Sequence, residues 1–391
     1  MLLLIVGLIM FVGLVVIHEF GHFIMARRNG VDVEEFGIGF PPRVYKKRIH
    51  SKKGDYDFTI NLLPLGGFVR LKGEHDDANE KGSFGAASLW AKTKIMAAGV
   101  FLNLVTALVM LTALAWIGMP QIIEDQYTVQ SDTKVIPAKV LVEEVEKGSP
   151  AAQAGLKVND RILAIGEAGR EQTLTSSQDL PEVTKNNAGK TVNIKYERGG
   201  EQRQANATLR TASVVEQSRK TDDPKGYLGV VPDPSEIAKQ RSTWSAPLVA
   251  AGLTKQFTEL TFQGLGRAVA GLGGLIAGAV TGNNEARSDA QKRASEQVSG
   301  PVGIFFVLKQ GQTLGLEFVL LIIAIISLTL AIMNILPIPA LDGGRLWLTL
   351  ITHGLGKPLS QEKEELINGI GFLVLMGLIV LITVVDVKRF F

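Results

Sequence analysis

Cysteine is absent from all 391 residues, which removes disulfides, thiolate metal ligands and a cysteine nucleophile together. Any metal site must therefore be built from His, Asp or Glu, and histidine itself is scarce, at five residues. Charge of one sign is lacking too: 41 Lys and Arg face 38 Asp and Glu for a net +3. That is far from the basic field on which nucleic-acid binding draws, so no nucleic acid is expected as a partner. What the chain has in quantity is apolar residues, 46% of the total, with a mean hydropathy of +0.20. For part of the chain this implies membrane lipid, not water, as the solvent.

Four runs, near residues 2–26, 95–117, 316–336 and 367–385, are long and apolar enough to cross a hydrocarbon core, which takes about 20 residues of helix. The first lacks a basic opening and a small-residue cleavage site and carries His18, Glu19 and His22 near its end, so it reads as a retained helix and not as a signal peptide. Basic residues concentrate between the first two runs, from Arg27 and Arg28 through Arg43, Lys46, Lys47, Arg48, Lys52 and Lys53 to Lys92 and Lys94. By the positive-inside rule that loop is cytoplasmic, which puts the N- and C-termini and residues 120–315 outside and returns 337–366 to the cytoplasm.

Within the cytoplasmic loop, Asp57–Gly73 has two β-prone runs around Pro64, Gly66 and Gly67 and reads as a hairpin, apolar enough to dip toward the membrane. From Val140 to Val231 short alternating runs are separated by Gly, Asn and Asp, the pattern of a small β-rich domain. Gly148–Gly166, GSPAAQAGLKVNDRILAIG, resembles the PDZ domains of bacterial proteases. Ser149 and Pro150 are expected to start a short helix that Gly155 ends, and Gly226, Tyr227, Leu228 and Gly229 are candidates for that domain's peptide-binding loop. Residues 245–281 form a Gly-rich helical pattern broken by Lys255, Glu259 and Arg267, and Gly282–Gln297 is a polar linker. The expected fold is thus a polytopic α-helical membrane protein of four transmembrane helices, with a cytoplasmic membrane-associated β-hairpin region and one extracytoplasmic β-rich PDZ domain. Its parts are 1–119 (first two spans and the β region), 120–232 (PDZ domain), 233–313 (surface helices and linker) and 314–391 (last two spans).

The chemistry concentrates in HEFGH, His18–His22. An i, i+4 spacing puts two imidazoles on one face of a helix, where they hold a single zinc ion, with Glu19 beside them as the general base. Ionisable groups in a membrane helix are costly enough to mark function by default. A catalytic zinc keeps three protein ligands and an open position, and Asp342, in NILPIPALDGG at Asn334–Gly344, is the candidate third ligand. Pro337 and Pro339 end the helix there, and Gly343 and Gly344 let the chain turn back. If the 245–281 segment lies on the outer surface and does not cross, the third span runs inward and brings Asp342 to the depth of His18 and His22. Asn103, in GVFLN of the second span, and Asn334 are candidates for positioning the substrate backbone, although an intramembrane Asn also glues helices together.

Taken in order, HEFGH, GVFLN, a PDZ-like stretch and NILPIPALDGG resemble the site-2 protease family, in particular its RseP-type regulators of the sigma-E response, over essentially the whole chain. The resemblance implies a Zn2+ cofactor held by His18, His22 and Asp342, Glu19 as catalytic base, and Phe36–Pro42 with the hairpin as a membrane-associated β region. It further implies an inner-membrane enzyme of regulated intramembrane proteolysis. Its partners would be membrane lipid and single-span substrates such as anti-sigma factors, or remnant signal peptides. The chain departs from the family's frequent tandem of PDZ domains, with room for one. A different reading is a catalytically silent membrane scaffold that holds peptide tails through its PDZ domain, for which Glu19 would be dispensable. A metal transporter would need polar residues along more than one helix, and the spans are otherwise too clean.

Overall fold

The computed structural model describes residues 2–390 except 75–79, 124, 137–139, 175, 178, 220, 222–223, 234–236, 282–300, 312–313 and 357–359. The polar 282–297 linker, and with it part of the 233–313 region, lies outside the described residues. The chain divides into two compact units, one of residues 1–113, 247–312 and 319–391 and one of residues 114–246 and 313–318.

The first unit is built on long helices. Among the described residues, four are long and apolar enough to cross a membrane: α1 (Leu2–Arg28), α2 (Leu89–Ile117), a helix at Leu316–Ile335 and the Gln361–Val384 part of the last helix. They fall where the hydropathy of the sequence puts them. Large apolar side chains stand open on them, including Ile9, Phe101, Val109, Leu373 and Val380, an arrangement that hydrocarbon accepts and water penalises. Helix α1 stops at Asn29–Gly30, where Gly30 takes φ +76° and the Val31 N–H turns back onto the Ala26 carbonyl. This is the left-handed termination that glycine permits.

Between α1 and α2 lie two long strands, β1 (Val33–Ile49) and β2 (Tyr56–Leu71). Each doubles back. Residues 33–38 of β1 pair with 67–71 of β2 on one side and with 57–60 on the other, and 43–49 pair with 56–61. The expected hairpin is therefore part of a sheet of four segments, with Gly67–Leu71 at one edge. A buried Glu35 pins its middle, accepting from Thr59 Oγ1 at 2.7 Å and facing Arg43 and Arg70.

In the second unit the elements are β3 (Met119–Pro120), β4 (Lys134–Ile136), β5 (Val140–Val145), α3 (Pro150–Gln153), β6 (Arg161–Gly166), β7 (Gln172–Thr173), α4 (Asp179–Asn186), β8 (Thr191–Arg198), β9 (Glu201–Thr208), α5 (Ala212–Ser218), β10 (Val230–Pro232) and β11 (Lys239–Arg241). The main sheet has the order β10-β5-β6-β8-β9, with β7 on β6, and β3, β11 and β4 form a second small sheet. Alternation explains the core: Val192, Ile194 and Tyr196 of β8 point inward with Val140, Val142, Ile162 and Ile165. Ser149 caps α3 through the Ala152 N–H, and Gly155 follows at φ +78°, as the sequence implies.

The remaining helices are α6 (Ala246–Thr281), α7 (Pro301–Gly311), α8 (Leu316–Ile335), α9 (Asp342–Gly354) and α10 (Gln361–Phe390). Helix α9 falls where the sequence suggests only a loop. The turn into it also differs from expectation: the left-handed residue is Ala340, at φ +72°, and Gly343 and Gly344 instead let the backbone press against the carbonyls of Leu336 and Ile338, where a Cβ would collide.

Candidate functional site

Helix periodicity sets His18 and His22 on one face of α1, where both are buried. Helix α2 runs antiparallel beside it, with Gly21 against Ala98, His22 against Ile95 and His18 against Asn103. Asp342, the first residue of α9, arrives from 320 positions away. Its Oδ2 lies 2.8 Å from His18 Nε2 and 3.1 Å from His22 Nε2, and the two Nε2 atoms are 3.2 Å apart. These three side chains form the His/Cys/Asp/Glu cluster able to hold a metal ion among the described residues. Four tetrahedral ligands about 2.0–2.1 Å from zinc stand roughly 3.3 Å from one another, so two imidazole nitrogens and one carboxylate oxygen at these separations fit that ion in donor type and spacing.

The surroundings fix the imidazoles. His22 Nδ1 sits 2.8 Å from the Ile95 carbonyl, which can only accept, so Nδ1 carries the proton and Nε2 is left with its lone pair toward the cluster. His18 Nδ1 faces the amide of Asn103 at 3.3 Å. Asn103 is fully buried and its backbone carbonyl accepts from Ser327 Oγ of α8 at 2.8 Å, while its Oδ1 is buried without a partner. Half a rotation of the amide exchanges the two ends, and Oδ1 then accepts from a protonated His18 Nδ1.

Glu19, His22, Asp342 and Arg345 line a common cavity of about 110 Å³ with Val69 and Glu74. The Val69 N–H, on the edge segment of β2, points toward the Glu19 carboxyl, and an added Cβ on Gly67 would press on the Gly37 carbonyl at 3.2 Å and meet Glu19 Cγ at 3.4 Å. Gly99 is fitted far more tightly: a Cβ there would be 2.5 Å from His22 Nε2 and 2.6 Å from His18 Cε1.

Of the residues singled out in the sequence, His18, Glu19, His22 and Asp342 thus meet at one place, and Asn103 touches a histidine instead of lining the cavity. Asn334 lies half-buried in the last turn of α8 and does not line the cavity either. Sequence reasoning missed the roles of Gly99, Ile95 and Val69. For Gly99 a signal existed, since it stands four residues before Asn103 and shares its helix face. The roles of the Ile95 carbonyl and the Val69 N–H are backbone properties that no side chain announces.

In the second unit, the four carbonyls of Gly226–Gly229 all turn inward, onto Arg210, Ala151 and Glu146. Because trans peptide units are planar, the N–H groups of Tyr227, Leu228 and Gly229 point the opposite way. The following strand, β10, is an edge of the main sheet. Arg210 anchors this loop through a two-bond pair with Glu146 at 2.7 Å.

A model of peptidase family M50 matches residues 6–378. The chain is 27% identical over 469 aligned residues to the regulator of sigma-W protease RasP of Bacillus subtilis, with 98% of each chain covered. It is 28% identical over 460 to the zinc metalloprotease RasP of Shouchella clausii, with 97% of each covered.

Proposed function

The chain belongs to peptidase family M50, the site-2 proteases, and from that premise we propose that its zinc is held by His18, His22 and Asp342 and that Glu19 is its catalytic base. The enzyme is a membrane zinc metalloprotease. The observation that carries the residue assignment is the meeting of one carboxylate oxygen and two imidazole nitrogens within 3.2 Å, from helices over 300 positions apart.

Zinc in such a site polarises the scissile carbonyl and makes water acidic enough to attack near neutral pH. Glu19 takes the proton of the attacking water and delivers it to the amine that leaves. A peptide bond inside a helix is shielded by its own hydrogen bonds, so the substrate must first be extended. The edge segment Gly67–Leu71 serves that end: its backbone lies along Glu19, and a substrate strand added to it is laid across the cavity. Asn334, on the helix leading into Asp342, is available to the substrate backbone.

The substrates are single-span membrane proteins of the anti-sigma-factor type, a reading supported by the similarity to the regulator of sigma-W protease of Bacillus subtilis; remnant signal peptides are a second class. The β-rich unit acts as an extracytoplasmic PDZ domain whose Gly226–Gly229 N–H face and β10 edge receive a peptide. The enzyme sits in the bacterial inner membrane with both termini outside and the zinc site near the cytoplasmic face.

The test pairs two variants in a reconstituted cleavage assay with metal analysis. Glu19→Gln keeps one zinc per chain and loses cleavage by about 10²–10⁴-fold, while Asp342→Ala loses the zinc itself. Cleavage that survives Glu19→Gln would leave a silent scaffold as the better reading, and stoichiometric zinc in Asp342→Ala would break the ligand assignment.

A further inference from the structure

On the flank of the α1/α2 pair, a groove of about 480 Å³ is lined by Ile24, Met25, Ala97, Phe101 and Leu102, with Gly21 against Ala98 as its floor and Arg28 and Lys94 beside it. The helices are antiparallel, as the pairs His22 to Ile95 and His18 to Asn103 fix. Going from Gly21 toward Arg28 is therefore going from Ala98 toward Lys94, and both cations stand at one end of the groove. Phe101 and Leu102 stand at the other. From Lys94 to Leu102 the apolar run is about 12 Å of helix. Arg28 has no ion pair or hydrogen bond among the described residues, and the Lys94 ammonium contacts the Trp90 ring, 5.1 Å from its centroid. No carboxylate lines the groove.

We propose that this groove is a specific site for one anionic phospholipid, with its phosphate between Arg28 and Lys94 and an acyl chain along Ala97, Phe101 and Leu102. The shape is that of an amphiphile, charged at one end and apolar beyond it. The charged end also lies at the interfacial level, since Arg27, Arg28 and Lys94 with the exposed Trp90 form a basic and aromatic belt at the ends of two spans. A free phosphate would leave the trough unused. An apolar helix or a second copy of the chain would bring no anion to the two cations.

The proposal rests on α1 and α2 lying in a bilayer and not on the catalytic assignment. Purified protein stripped of lipid is titrated in native mass spectrometry with phosphatidylglycerol and, separately, with phosphatidylcholine of the same acyl chains. One phosphatidylglycerol binds per chain in preference to phosphatidylcholine. Affinity for the anionic lipid falls about fivefold in Arg28→Gln and roughly thirtyfold in Arg28→Gln/Lys94→Gln, as cations at a membrane surface contribute. Ala97→Trp, which fills the trough, removes the bound lipid. A wild-type helical circular-dichroism spectrum and thermal midpoint show that each variant is folded, and Ala97→Leu replaces Ala97→Trp if it does not meet that standard. Equal binding of the two lipids, or affinities that the substitutions leave unchanged, overturns the proposal. So does a dimer that Ala97→Trp dissociates, which assigns the groove to a second copy.

Discussion

At the scale of single residues, Asn103 stands where a buried amide would serve the proposed zinc ligand His18. With Nε2 of His18 turned to the cluster, Nδ1 must carry a proton, and an acceptor that holds it there fixes both the tautomer and the ring plane. Removing such an outer partner costs about 10–100-fold in metal affinity. Asn103→Ala is therefore expected to weaken zinc retention by that order in competition with a chelator, while Asn103→Asp, which keeps the acceptor, retains more; equal retention in Asn103→Ala and wild type would reduce Asn103 to helix glue. In the β-rich unit, the pair of Arg210 bonds holds the Glu146 carboxyl below its ordinary 4.5. A depressed folded-state pKa gives stability that is present above the unfolded value and is lost as pH falls through the folded one. Thermal unfolding of this unit is thus expected to be level from pH 7 to about 5 and to weaken below about 4.5, the ordinary carboxylate value. Arg210→Gln should flatten that part of the acid dependence, and an unchanged acid limb would show that the pair does not contribute.

At the scale of elements, the α1/α2 contact decides whether the histidines can converge. Gly99 gives the imidazoles the space they occupy, and an added Cβ would overlap both rings. Gly99→Ala is expected to strip zinc and activity together, whereas Gly13→Ala, on the partner helix α1 but with open space where its Cβ would go, should leave both unchanged. Loss in both variants would point to general helix destabilisation. The long helices were legible because hydropathy over about 20 residues is a strong signal, and HEFGH was legible because ligand spacing repeats with the helix turn. From residue pattern alone the sheet of β1 and β2 was legible only in its 57–73 part, and Phe36–Pro42 was added to it by the family resemblance. Val33–Ile49 carries Gly37, Gly39 and two prolines beside a run of Arg and Lys, so no period of two stands out, and its pairing on both sides is a tertiary fact. Helix α9 was hidden by the prolines and glycines just before it, which read as a turn and do not reveal that a helix begins at Asp342.

At the scale of the whole molecule, the proposed zinc site constrains how the chain is threaded. His18 and His22 lie in the later part of α1, and Asp342 lies just beyond the end of α8. A carboxylate 2.8 Å from an imidazole puts those two helix ends at one depth. If α1 runs inward and α2 returns outward, then α8 must run inward again, and the chain between residues 118 and 315 makes no net crossing. The basic 27–94 loop sets the sign of the scheme. Because the protein has no cysteine, single introduced cysteines report sidedness without background. With a membrane-impermeant maleimide, Lys53→Cys and Gln361→Cys are expected to label only in inside-out vesicles, and Ser213→Cys only in right-side-out ones; all three positions are exposed. Labelling of positions 53 and 361 from opposite faces would mean that the 246–281 helix crosses the bilayer. Asp342 would then be on the wrong side of the membrane from its histidines, and the shared metal centre would have to be abandoned.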